Sequence, residues 1–311
     1  NITLIRHQEL LLYYLLGYPF IMSDAFADIR QHSIVEPRSL TSGVVFALPH
    51  SGRDYGMSFL SQSVLDAQSI RSSEDAFLDH LIDGIEDYGA PKIIAHAPRA
   101  FIDLNRSTDE LDPALISGLK NNIRNPRISS GLGVIPRVVS HGKSIYRGKL
   151  NLEQAKARIE HYWEPYHTDL SKLLKRAQSI FGQSLLIDMH SMPHEAVSTQ
   201  SSILKSPEIV VGDRFGMSSD PEFTNRVISI LKQHNFRVAK NTPFAGAFIT
   251  KHHGKVKERI HALQLEIDRS LYMDEEQIQP HSGLEELKSK LLPALIQISS
   301  IIYKSNKIAA E

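Results

Sequence analysis

The sequence has no cysteine, which excludes disulfides, thiolate metal ligands and a cysteine nucleophile. Any metal must therefore be held by histidine, aspartate or glutamate. Nor is there an excess of charge: Lys plus Arg and Asp plus Glu stand at 35 each, so no global field draws the chain to nucleic acid or to an anionic membrane. The basic KHHGKVKER stretch reads as a solvated loop. Phosphate-binding G-x-x-x-x-G-K-S/T, H-E-x-x-H, G-x-S-x-G and strand-linked G-x-G-x-x-G patterns are all missing. Long apolar runs are scarce too. Leu10 to Leu16 with Tyr18 to Met22 falls far short of the roughly 20 residues of a membrane span. Residues 1–21 read as an extension upstream of a natural start at Met22, with a secretory signal as the alternative. The expected compartment is the cytoplasm, and the expected partner is a small-molecule substrate, with no nucleic acid and no membrane. No feature of the sequence points to an oligomeric state.

What is present suits an α/β protein. The chain has 311 residues, 41% of them hydrophobic and 23% charged, enough to bury a full core. GVVFALPH is a short apolar run ending in Pro-His-Ser-Gly, a buried strand that delivers polar residues to a loop. Residues 74–88 carry Phe77, Leu78, Leu81, Ile82 and Ile85 at helical spacing, with Glu74 and Asp75 in the expected first turn. KIIAHAPR and FIDLNR suggest a strand pair or one bent strand. Residues 151–181 form a long amphipathic helix, SLLIDMHS a strand, PEFTNRVISILKQHN a helix, FRVAKNTPF a strand, and HALQLEIDRSLYM a strand carrying Glu266. A helix from GLEELKSKLL onward closes the fold. Such alternation predicts a mainly parallel sheet covered on both faces, with ligands beyond the carboxyl ends of its strands. No repeat or linker divides residues 22–311, which read as one domain.

Those strand ends carry the chemistry. His50 and His190 each close an apolar strand, the placement a metal site needs on a rigid scaffold; the competing reading is a pair of histidines bonded to backbone. Asp188, two residues before His190, is placed to orient a histidine. Glu266, a lone carboxylate in ALQLEID, must be paired, metal-bound or shifted in pKa if buried, which suits a general base; simple alternation could instead turn it to solvent.

PHSG, EDAFLDHL, FIDLNR, YWEPYH, IDMHS, FAGAFITKHHG and HALQLEIDRSLYMDE occur in order, and together they resemble the N-formylglutamate amidohydrolase family across residues 44–276. That family is similar to the zinc carboxypeptidases. The resemblance implies a three-layer α/β/α fold of the phosphorylase/hydrolase type around a mixed, mostly parallel sheet. It also implies one Zn2+ per chain, held by His50, His190 and a carboxylate, with Asp75 first and Glu74 as the alternative. Glu266 would be the base. Arg106, with Asn105 beside it, would face a substrate carboxylate, and Arg99 or Arg137 a second one. His252 would stabilise the oxyanion. The implied reaction is hydrolysis of the amide of N-formyl-L-glutamate or a similar N-acyl amino acid. Where the family has HAGTR and ITRHYG, this chain has HSGRD and ITKHHG, which leaves the acyl amino acid open. The alternatives are a carboxypeptidase-like or deacylase activity, or a non-catalytic metal-binding or ligand-sensing protein.

Overall fold

The computed structural model describes residues 26–120, 125–198 and 206–303. The upstream extension expected at residues 1–21 lies outside them. Seven strands form one sheet: β1 (His32–Val35), β2 (Val44–Leu48), β3 (Lys92–Ala95), β4 (Ser184–Met192), β5 (Ile209–Gly212), β6 (Val238–Lys240) and β7 (Ile260–Asp268). Their order is β1-β3-β2-β4-β7-β5-β6. The central strands β3, β2, β4 and β7 run parallel, while β1 is antiparallel to β3 and β5 antiparallel to β7. The sheet is thus mixed and mostly parallel, as expected. Strands β2, β4 and β7 are buried throughout because both faces are covered.

Alternation along each strand sorts the side chains between two cores. Val45, Ala47, Leu186 and Ala262 pack with Tyr166, Leu170, Leu173, Leu174 and Ala177. These last five lie on one long helix: an Asn151–Gln154 capping box starts α1 (Leu152–Arg158), a π-helical turn follows, and α2 (Glu164–Phe181) ends at Gly182 with φ 79°. On the other face Phe46, Leu48, Ile187 and Leu265 meet Val227 and Leu231 of α3 (Pro221–Gln233). A further short helix, α4 (Phe248–His253), adjoins β7, and α5 (Gly283–Ser299) contributes Leu291, Leu295 and Ile298 to that second core. Each fully buried Leu or Ile contributes about 1.5–3 kcal/mol, so the sandwich rather than local propensity fixes the strand ends. Among the described residues no helix is long and apolar enough to cross a membrane.

Three expectations are corrected. Residues 74–88 are not one helix but a single turn, Leu78–Leu81, and a 3-10 turn, Ile85–Tyr88. Phe77 at φ 63° and Gly84 at φ 96° interrupt the run, and Glu74 and Asp75 lie outside helix. FIDLNR is a loop rather than a strand; Asp103 N donates to the Val134 carbonyl instead of to a neighbouring strand. FRVAKNTPF shrinks to β6, since Phe236 N closes the end of α3 onto Leu231 and Asn241 turns left-handed at φ 62°.

Candidate metal centre and active site

Strand β2 ends two residues before His50, the chain turns at Pro49 and His50, and it then passes so close to the next segment at Gly52 that any Cβ would collide with the Ala97 carbonyl. Asp75 N donates to the His50 carbonyl at 3.0 Å, which clamps the two residues together. His190 lies inside β4 directly opposite Glu266 of β7, so the two side chains share one face of the sheet. All four are at least nine-tenths buried.

The ring nitrogens converge. His50 Nε2 donates to Asp103 Oδ1 at 2.8 Å, and His190 Nε2 lies 3.0 Å from Asp188 Oδ2. With the His50 Nε2 proton directed at Asp103, the Nδ1 of His50 presents a bare lone pair, while the Asp188 carboxylate lies beside His190 Nε2 without a hydrogen bond to it. The two Nδ1 atoms are 3.1 Å apart, and Asp75 Oδ2 lies 3.4 Å from that of His50 and 3.0 Å from that of His190. Acceptors facing one another in a buried space repel unless a cation or a proton lies among them. His50, Asp75 and His190 are the group of possible ligands found among the described residues. They can hold a metal ion. Burial disfavours charge on His190, but the Asp188 and Asp75 carboxylates outweigh it and hold the imidazolium pKa well above the usual value. The protein therefore supplies a strong field for positive charge at this point.

Surrounding groups fix the ligands. Asp75 Oδ1 accepts from Arg269 Nη2 at 2.9 Å, leaving Oδ2 for the histidines. Burial opposes ionisation of Asp103, yet Arg99 and His50 hold its carboxyl well below the usual range. Glu74, the alternative ligand, is turned away: both its oxygens accept from Arg71, at 3.0 and 3.1 Å. Asp75→Ala should accordingly abolish stoichiometric metal binding, whereas Glu74→Ala should leave it nearly intact. Metal analysis of the two purified variants checks this, and the reverse pattern would move the ligand by one residue.

Glu266 accepts at Oε1 from Gln264 Nε2 at 2.7 Å, and Gln264 is itself fixed because its Oε1 accepts from Ala247 N at 3.1 Å. Oε2 is left for other partners. Burial pushes the Glu266 carboxyl up to about 7, with Asp75 raising it further and His190 opposing.

The other expected residues divide. Asn105 joins the site, with Nδ2 3.3 Å from His190 Nε2 and Oδ1 accepting from Ile249 N at 2.7 Å. Arg99 joins through Nε to Asp103 Oδ2 at 3.0 Å, with 28% of its side chain exposed. Arg106 is buried, yet its Nε has no hydrogen-bond partner among the described residues, and its nearest carboxylates, Asp103 and Glu110, are both 3.9 Å away. Arg137 is engaged elsewhere, donating from Nε to Asp112 at 2.8 Å and from Nη2 to the Ser129 carbonyl. His252 is exposed; its ring stacks on Phe248 at 5.0 Å and lies near Trp163. No hydrogen bond joins His252 to the triad among the described residues. Sequence reasoning passed over Asp103, Gln264 and Arg269. The first two carried a faint signal, each being a polar residue inside an otherwise apolar run.

The chain is similar to known proteins over most of its length. Residues 42–273 match the model of the N-formylglutamate amidohydrolase family. An N-formylglutamate deformylase of Pseudomonas aeruginosa is 28% identical over 236 residues, 75% of this chain and 83% of its own length. One from Pseudomonas putida is 29% identical over 258 residues, 82% of this chain and 90% of its own. The crystal structure of an N-formylglutamate amidohydrolase from Ralstonia eutropha superposes with a TM-score of 0.81 at 29% identity, covering 88% of this chain and 99% of that one. A match over most of the chain and a shared fold, around a buried site of this composition, establish that the chain belongs to the N-formylglutamate amidohydrolase family and is a hydrolase of linear amides.

Proposed function

We propose that the protein hydrolyses the amide of N-formyl-L-glutamate, or of a closely similar N-acyl amino acid, with one zinc ion per chain. The observation that carries this reading is the convergence of His50 Nδ1, His190 Nδ1 and Asp75 Oδ2 beside the buried Glu266. Tetrahedral zinc, with bonds of about 2.0–2.1 Å, separates its ligand atoms by about 3.3 Å. The three separations here, 3.0 to 3.4 Å, fit that spacing. The relatives named for N-formylglutamate support the substrate.

A zinc ion held there supplies Lewis acidity toward water and toward the amide carbonyl. Glu266 takes the proton of the attacking water on its free Oε2 and delivers it to the departing nitrogen, because an amide nitrogen leaves poorly unless protonated. Gln264 keeps the carboxylate from swinging away. Asn105 and Arg106 receive the α-carboxylate of the substrate. The underpaired, buried guanidinium of Arg106 gains two charge-assisted hydrogen bonds when it does so. Zinc content measured together with formate, acetate and peptide release from a panel of N-formyl, N-acetyl and peptide substrates tests the whole reading. A protein that binds zinc but releases only acetate or free amino acids from peptides would replace it with a deacylase or carboxypeptidase, and release of nothing would leave a binding protein.

Arg106→Lys keeps the charge and loses the two-pronged geometry. We expect kcat/KM on N-formyl-L-glutamate to fall by about 10- to 100-fold, with zinc content unchanged. Steady-state kinetics on the variant check this, and unaltered constants would remove Arg106 from the substrate site.

A further inference from the structure

A substrate with a second carboxylate needs a second cation, and the two expected for that role are already paired, Arg99 with Asp103 and Arg137 with Asp112. We propose that Arg214 receives the side-chain carboxylate and so selects glutamate-like N-acyl amino acids; this rests on the function proposed above.

Arg214 is half-buried and has no acidic partner among the described residues. The other arginines that are not exposed each have a carboxylate within 4.0 Å, except Arg158, which is enclosed by the rings of Phe26, Phe59, Phe101 and Tyr146. Even the adjacent Asp213 is taken: its Oδ2 lies 2.8 Å from Lys240 Nζ, and its Oδ1 accepts from Asn241 Nδ2 and Gly216 N at 2.7 and 3.0 Å. What Arg214 does have is two long contacts, from Nη1 to the carbonyls of Gly246 and Ala247 at 3.4 and 3.5 Å. Such contacts leave most of the donor capacity of a guanidinium unused.

A chain of hydrogen bonds connects it to the reacting groups. The 246–249 segment is where the site is tied together: Ala247 N donates to Gln264, which donates to Glu266, and Ile249 N donates to Asn105. Arg214 is therefore two hydrogen-bonded residues from the base. The backbone is set to hold it there. Arg214, Phe215 and Gly216 have φ of 52°, 57° and 84°, a left-handed run unfavourable for its two non-glycine members, and Arg214 N is anchored to the Ala245 carbonyl at 2.7 Å. Gly212 allows the approach, since a Cβ there would lie 2.6 Å from the Ala245 backbone.

The sheet order gives the arrangement its sense. In strand order, Arg99 and Arg106 follow β3 on one side and Arg214 follows β5 on the other, with β2, β4 and β7, which bring in His50, His190 and Glu266, between them. Strand β5 is antiparallel to β7 and pairs Gly212 with Gln264, so Arg214 lies two residues past the point opposite the Gln264 that holds Glu266. In the proposed arrangement the two carboxylates of a glutamate derivative meet cations that flank the base in strand order.

The test compares wild type, R214K and R214Q on N-formyl-L-glutamate and N-formyl-L-glutamine. We expect the ratio of kcat/KM values, glutamate over glutamine, to fall by about 100-fold in R214Q, chiefly through KM, with R214K between. Calorimetric binding in an inactive E266Q background should repeat the split, with affinity lost for the acid and kept for the amide. Equal losses on both substrates, or an unchanged ratio in a wild type that prefers the acid, would overturn the role of Arg214 alone. A wild type that hydrolyses neither substrate would overturn the proposed function and this inference with it.

Discussion

Glu266→Gln should reduce turnover by about 10²–10⁴-fold, the usual range for general acid–base catalysis, while zinc content and folding stay normal. The substitution keeps size and most hydrogen bonding, and only proton acceptance is lost. Gln264 Nε2 can still donate to the new amide oxygen, so the local packing has no reason to rearrange. The pH profile supplies a second readout. The active form of Glu266 is the carboxylate, and burial pushes its carboxyl up to about 7, so activity must fall as pH drops through the pKa. A cation in the triad favours the carboxylate and moves that limb below 7. Glu266→Gln should show no such limb in its residual rate. Loss of zinc along with activity would make Glu266 a ligand, and near-normal turnover would place the base elsewhere.

The other large effect is on the metal. His50→Ala and His190→Ala should each lose stoichiometric zinc, because two remaining protein ligands leave an incomplete site. Their carboxylate partners should matter less but measurably: Asp103→Ala and Asp188→Ala remove the groups facing Nε2, and such changes typically reduce metal affinity by about 10- to 100-fold. Equilibrium dialysis against a competing chelator separates the two classes. Full occupancy in both histidine variants would rule out the assigned triad, and unaltered affinity in both aspartate variants would deny their orienting role.

The strands and their ends were legible in the sequence because their signal is local. GVVFAL, SLLIDM and the ALQLEID run are buried on both faces, and each announces itself as apolar residues ending in a polar one. His50, His190 and Glu266 could be picked out for that reason. Asp188 followed from strand alternation. The loop between β3 and α1 was not legible, since FIDLNR has strand-like composition while its backbone bonds go to distant partners such as Val134. Asp75 shows the same limit: helical spacing put it in a first turn, but its placement depends on the His50 carbonyl, 25 positions earlier in the chain. Arg269 and Arg214 carried no local signal whatever. What marks them is where carboxylates are, or are not, in three dimensions.

The central claim is that His50, Asp75 and His190 hold the one zinc ion on which amide hydrolysis depends. Titrating zinc into metal-free protein while following formate release from N-formyl-L-glutamate tests it most directly. The account predicts no release at the start, a linear rise, and a plateau at one zinc per chain that His190→Ala does not reach. Full release from the metal-free protein would contradict it.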